Sequence, residues 1–179
     1  MPRPTGRWLI IGVAASWLLG VSYRPARAGA PGPNEPNPSR PSLAIIVNAS
    51  NPVDSLSLEE LRKVFLGERS HWPNGRRITL VMMEPGQAER QTLIREVCQM
   101  TETGFRQHFL HGLFTGEVFV SPKTLASPVG VRKFVFNVPG AIGYVRANDV
   151  DSSVKVLRVD GRLPGNKEYR LRIPPAAAP

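Results

Sequence analysis

Apolar residues along this chain switch between two periods, and the switches divide it into strands and helices. Leu43 to Val47 is an unbroken apolar run, the pattern of a strand covered on both faces. It gives way to Asn48-Ala49-Ser50-Asn51-Pro52, a turn-forming stretch. Ser57 and Glu60 have capping-box spacing, and Leu58, Leu61, Val64 and Phe65 then share one helical face. Gly67 stops that helix, and a loop through Pro73-Asn74-Gly75 leads to a second strand over 78–83. Pro85-Gly86 breaks the strand; Leu93, Ile94, Val97 and Met100 form the stripe of a helix over 88–100. Thr101 or Thr103 caps a third helix, with Phe105, Phe109, Leu110 and Leu113 predicted to face inward. After a loop holding Gly116 and Pro122, Ser127-Pro128 opens a fourth, and Phe134, Val135 and Val138 lie on its buried side. Gly140 suits a left-handed or otherwise strained position after that helix, and strands follow over 142–145 and 154–159.

Strands alternating with helices predict an α/β layer, a largely parallel sheet flanked by helices. Ligands in such sheets bind beyond the carboxyl ends of the strands, where helix N-termini point. Here those places are Asn48 to Asn51, Glu84 to Arg90, and Tyr144 to Asn148.

The first residues read as an address. Arg3 and Arg7 precede an apolar run from Trp8 to Val21, and Ala26-Arg27-Ala28 has the small-x-small pattern of a cleavage site. The run falls short of the about 20 residues of a membrane span, so residues 1–28 are expected to be a signal peptide. No stable span is expected after its removal. Residues 29–42, rich in proline, asparagine and serine, form an expected disordered spacer. The folded domain is expected over 43–173, with a disordered tail at 174–179. Net charge is +9, and loss of Arg3, Arg7, Arg24 and Arg27 with the leader leaves +5. The basic residues are scattered without aromatic interleaving, which argues against nucleic-acid binding. Cys98 is the single cysteine, so no intrachain disulfide forms, and its place beside Ile94 and Val97 predicts burial.

Catalytic chemistry has little support. Ser50, Ser70, Ser121 and Ser127 sit in turns or at helix starts without an evident base. His108 and His111 have metal-sharing spacing, but two histidines make a weak signal. Asp149 and Asp151 read as loop carboxylates. No cofactor, metal or enzyme activity is expected.

Ile45-Ile46-Val47-Asn48, the helix ending at Gly67, Trp72, the second strand, Phe114-Thr115-Gly116 and Pro139-Gly-Ala-Ile-Gly-Tyr-Val145 occur in order across about a hundred residues. In these landmarks the chain resembles the periplasmic phosphate-binding protein of bacterial phosphate ABC transporters, and more closely its short, single-lobe members. The resemblance implies one lobe of a type 2 periplasmic binding protein, a periplasmic location and an anionic ligand. In that family an arginine and a Ser-Gly-Thr helix start wrap the phosphate. Met83, Gln87, Ala88 and Glu89 stand at those positions here, which implies weak or altered anion recognition. The candidate ligand-binding residues are Asn48, Ser50, Gly86, Gln87, Ala88, Arg90 and Tyr144, with backbone N–H groups replacing side-chain charge. The alternative is a ligand-free interaction module that docks an envelope protein through the same fold, with Trp72 or Phe119 as anchor.

Overall fold

The computed structural model describes residues 41–118 and 121–174. The expected signal peptide, nearly all of the spacer, Phe119 and the tail beyond Pro174 lie outside them.

Strand β1 (Leu43–Asn48) is buried along its whole length, as its unbroken apolar run predicts. Two residues, Ser55–Leu56, form β2 before helix α1 (Leu58–Phe65). The Ser57 hydroxyl accepts from the Glu60 amide, and the Glu60 carboxylate accepts from the Ser57 amide, so two orphan donors are satisfied reciprocally. Strand β3 (Thr79–Met83) leads to α2 (Ala88–Leu93), which continues into a π-helical turn, Ile94–Cys98. Helix α3 (Glu102–Thr115) is capped by Thr101; β4 (Lys123–Leu125) and α4 (Pro128–Asn137), capped by Ser127, follow. Strand β5 (Ala141–Arg146), β6 (Val154–Val156) and β7 (Arg158–Val159) complete the order. The expected last strand over 154–159 is thus two strands. β6 joins the main sheet, and β7 pairs in parallel with β2.

The main sheet has the order β4-β3-β5-β1-β6. β3 runs parallel to both β4 and β5, whereas β1 is antiparallel to its neighbours β5 and β6. Four strands therefore point one way, and β1 alone is reversed. Successive side chains leave a strand on opposite faces, and β5 shows what covers each face. Gly143 faces α4, where an added Cβ would lie 2.9 Å from Val131 Cγ1. Tyr144 points the other way and meets Phe65 of α1 edge-on, with ring centroids 6.1 Å apart. The core is thus a sheet between α4 on one side and α1 with α2 on the other.

Two further differences have simple causes. Leu110 and Leu113 are 61% and 50% exposed, because α3 packs on the π turn rather than the sheet and buries only a Phe105–Phe109–Gly112 strip. Gly140 does not take a positive φ. Glycine is needed there because a Cβ would stand 2.1 Å from the Arg77 carbonyl oxygen. At the chain's far end Tyr169, Leu171 and Ile173 are buried, and Ser42 already bridges to Arg172.

Cys98 is fully buried, and that burial pushes its thiol up to about 12. A thiol so far from ionising packs as a small apolar group. Among the described residues no helix is long and apolar enough to cross a membrane.

Candidate functional site

The reversed β1 divides the residues expected to share a pocket. β5 runs with β3, so Met83 and Arg146 end at one edge of the sheet. Val47 pairs with Ile142 and Leu43 with Arg146, which sends Asn48 to the opposite edge. There Asn48 Nδ2 donates to the carbonyls of Val135 (2.9 Å) and Phe136 (2.6 Å), satisfying the last turn of α4. Its Oδ1 accepts from the Ser50 amide (2.9 Å) and hydroxyl (2.8 Å). Asn48 and Ser50 close a turn and hold a helix end, and they are not part of a site with Gly86, Gln87 and Ala88.

Tyr144 is likewise enclosed. Its hydroxyl oxygen accepts from the Met83 amide at 3.0 Å, and burial drives its ionisation well above the ordinary phenol range. It buttresses the end of β3 from beneath and is 0% exposed.

The carboxyl end of β3 therefore carries the remaining candidates. Pro85 and Gly86 turn the chain, with Gly86 at φ +92°, a value glycine adopts without strain. Gln87 precedes α2 and makes no side-chain cap, and Ala88 is half-buried. Two ion pairs fill the ground next to them. The buried Glu89 carboxylate, in the first turn of α2, pairs with the guanidinium of Arg146 at the end of β5. Arg90 is 7% exposed. Its Nε lies 3.0 Å from both oxygens of Glu102, its Nη2 donates to Glu102 Oε1 at 2.7 Å, and its Nη1 donates to the Met83 carbonyl at 2.8 Å. The guanidinium also lies 5.7 Å from the centre of the Phe105 ring. Arg90 is held by the fold rather than turned towards the helix start.

Sequence reasoning did not find Arg146 or the role of Glu102. Arg146 follows the last buried position of β5, and nothing local marks it as the partner of a residue 57 positions earlier. Arg90, Glu102, Phe105, Arg106 and Phe109 line a cleft of about 230 Å³ beside this edge. His108 donates from Nε2 to the Leu66 carbonyl (2.9 Å), tying α3 to the end of α1. Among the described residues no group of three or more His, Cys, Asp or Glu could hold a metal ion. Trp72, an expected docking anchor, is 2% exposed, and its indole N–H donates to the Gly140 carbonyl at 3.0 Å.

No family model matches the chain. Among solved structures it is similar to an ABC-type phosphate transport receptor from Vibrio cholerae, with TM-score 0.58 and 22% identity, over 69% of this chain and 48% of that one. It is similar to a phosphate ABC transporter substrate-binding protein, solved with bound phosphate, from Clostridium perfringens (TM-score 0.57, 23% identity, 69% and 47% covered). PstS from Borrelia burgdorferi matches at TM-score 0.55 and 16% identity, over 69% of this chain and 49% of that one. The chain spans about half the length of these proteins. At such identities the likeness is one of fold: a mixed α/β, mostly parallel sheet flanked by helices, matching a lobe of the phosphate ABC transporter binding proteins.

Proposed function

We propose that this protein is an exported, periplasmic solute-binding-like protein in which the anion position of the fold is occupied from within. The observation that carries this reading is the buried Glu89 carboxylate at the start of α2, paired with Arg146. A carboxylate in a first helical turn complements the positive end of the helix dipole. It also repels a second anion at close range and occupies the nearest cation. Export is supported by the basic-apolar-Ala-x-Ala pattern of residues 1–28. A binding rather than catalytic role is supported by the transport proteins that share the fold.

Titration calorimetry with phosphate tests it. The unsubstituted protein is expected to give no saturable heat up to about 1 mM ligand, whereas Glu89→Gln, which frees Arg146, brings binding into the millimolar range. Submillimolar phosphate binding by the unsubstituted protein, lost in Arg146→Gln, overturns the reading.

A second reading, an interaction module for an envelope protein, is favoured by the apolar side of α3, where Phe114 is 85% exposed next to Leu110 and Leu113. A photo-crosslinker at Phe114 is then expected to trap one discrete protein that a crosslinker at the exposed Lys167 does not. Identical adducts from both positions rule the reading out.

A further inference from the structure

The cleft between α2, α3 and β4 joins a charged wall to an apolar floor, and the proposed role of the helix start makes no use of it. Its volume of about 230 Å³ lies below the roughly 300 Å³ at which sites for drug-sized ligands begin, so it suits a smaller molecule. Phe105 and Phe109 form the floor as a tilted pair with centroids 4.8 Å apart, and Pro85 and Pro122 also line it. By contrast, an apolar hollow of about 280 Å³ beside Ala44, Ala147 and Leu163 has no titratable group in its lining to orient a ligand.

Charge balance decides the class of ligand. Glu102 cancels the charge of Arg90. Arg106, exposed at the rim, enters no ion pair among the described residues, which leaves one surplus positive charge in the lining. A guanidinium has five N–H groups. The contacts of Arg90 to Glu102 and Met83 leave one N–H on each terminal nitrogen without a protein acceptor among the described residues. A single surplus charge and a few spare N–H donors match a monocarboxylate. Phosphate carries more charge than the cleft neutralises, and it would turn unsatisfied oxygens onto prolines and phenyl rings.

We propose that this cleft binds a small organic monocarboxylate with an apolar, ring-sized body. Arg106 and the spare N–H groups of Arg90 hold the carboxylate, the Thr124 hydroxyl lies in the same lining, and the body rests on Phe105, Phe109 and the two prolines. Glu89 does not line the cleft, so this site stands or falls separately from the closed helix start.

Benzoate titrated into the full chain and followed through backbone amide shifts tests the proposal. Saturable shifts are expected at Phe105, Arg106, Phe109 and Thr124, with a dissociation constant near about 1 mM. Benzamide, which has the same shape without the charge, is expected to bind at least about tenfold more weakly. Arg106→Gln weakens benzoate by a similar factor without changing thermal unfolding, because Arg106 is exposed and makes no ion pair; Thr124→Val gives a smaller loss. The proposal is overturned if benzamide binds as well as benzoate, if inorganic phosphate competes at the same amides, or if no saturable shift appears by about 10 mM.

Discussion

Gly140→Ala is expected to cost about 3 kcal/mol or more and to lower Tm by on the order of 10 °C. The added methyl would sit 2.1 Å from the Arg77 carbonyl oxygen, a backbone atom that no rotamer change can move aside. Retreat of the backbone is opposed on two sides. The Gly140 carbonyl accepts from the Thr79 amide at 3.0 Å, where β3 and β5 begin to pair, and from the Trp72 indole at 3.0 Å. A shift that relieves the clash strains both bonds and loosens a buried tryptophan. Gly143→Ala is the informative control, because its methyl would meet the Val131 side chain at 2.9 Å and α4 can give way slightly. Thermal unfolding of the two variants reads the difference. Gly140→Ala melting with the unsubstituted protein would show that the approach to Arg77 does not constrain the fold.

The second large effect is expected at Arg90. Arg90→Met keeps the length and apolar stem of the side chain but removes every bond from its guanidinium. The Met83 carbonyl loses a buried charged donor, and Glu102 loses a two-pronged partner. The Glu102 side chain is 38% exposed and recovers part of its loss from water; the carbonyl beneath Arg90 does not. A net loss of roughly 2–4 kcal/mol follows, measurable by urea unfolding. Arg90→Lys should recover little of it, since an ammonium cannot span a carboxylate and a carbonyl in one plane. Stability within about 0.5 kcal/mol of the unsubstituted protein would instead mark Arg90 as a surface group with other business.

Local chemistry was readable in the sequence wherever the partners are neighbours. Ser57 with Glu60 and Ser127 with Pro128 announce helix starts, and both appear as the spacing requires. The burial of β1 on both faces was equally legible from its unbroken apolar run. Its direction was not, because a run of leucine, isoleucine and valine reads the same in a parallel or an antiparallel ladder. That one missing fact separates Asn48 and Ser50 from the other candidate residues. β4 escaped notice because Lys123-Thr124-Leu125 is a short edge strand with no apolar run.

Two other misreadings have different origins. At Gly140 the residue type was informative but the reason was not: glycine serves a close approach of backbones rather than a left-handed turn. In α3 a stripe of Phe105, Phe109, Leu110 and Leu113 is a sound amphipathic face. How wide a stripe is buried depends on what lies opposite, and α3 meets the π turn, Arg90 of α2 and the end of α1 rather than the sheet. The carboxylate of Glu89 could be seen as hostile to an incoming anion from its place in the first turn. Its arginine could not be named, because it arrives from another strand.

The reversed strand also has a consequence in time. Leu43 of β1 pairs with Arg146 of β5, about a hundred residues later, and its other neighbour, β6, comes later still. A chain made from its N-terminus therefore carries its most apolar strand unpaired until nearly all of the domain has been synthesised. Closing so long a loop early is entropically unfavourable, and sheets built on distant pairings fold slowly. Synthesis thus runs ahead of sheet closure, and β1 waits without its partners until β5 and β6 have been made.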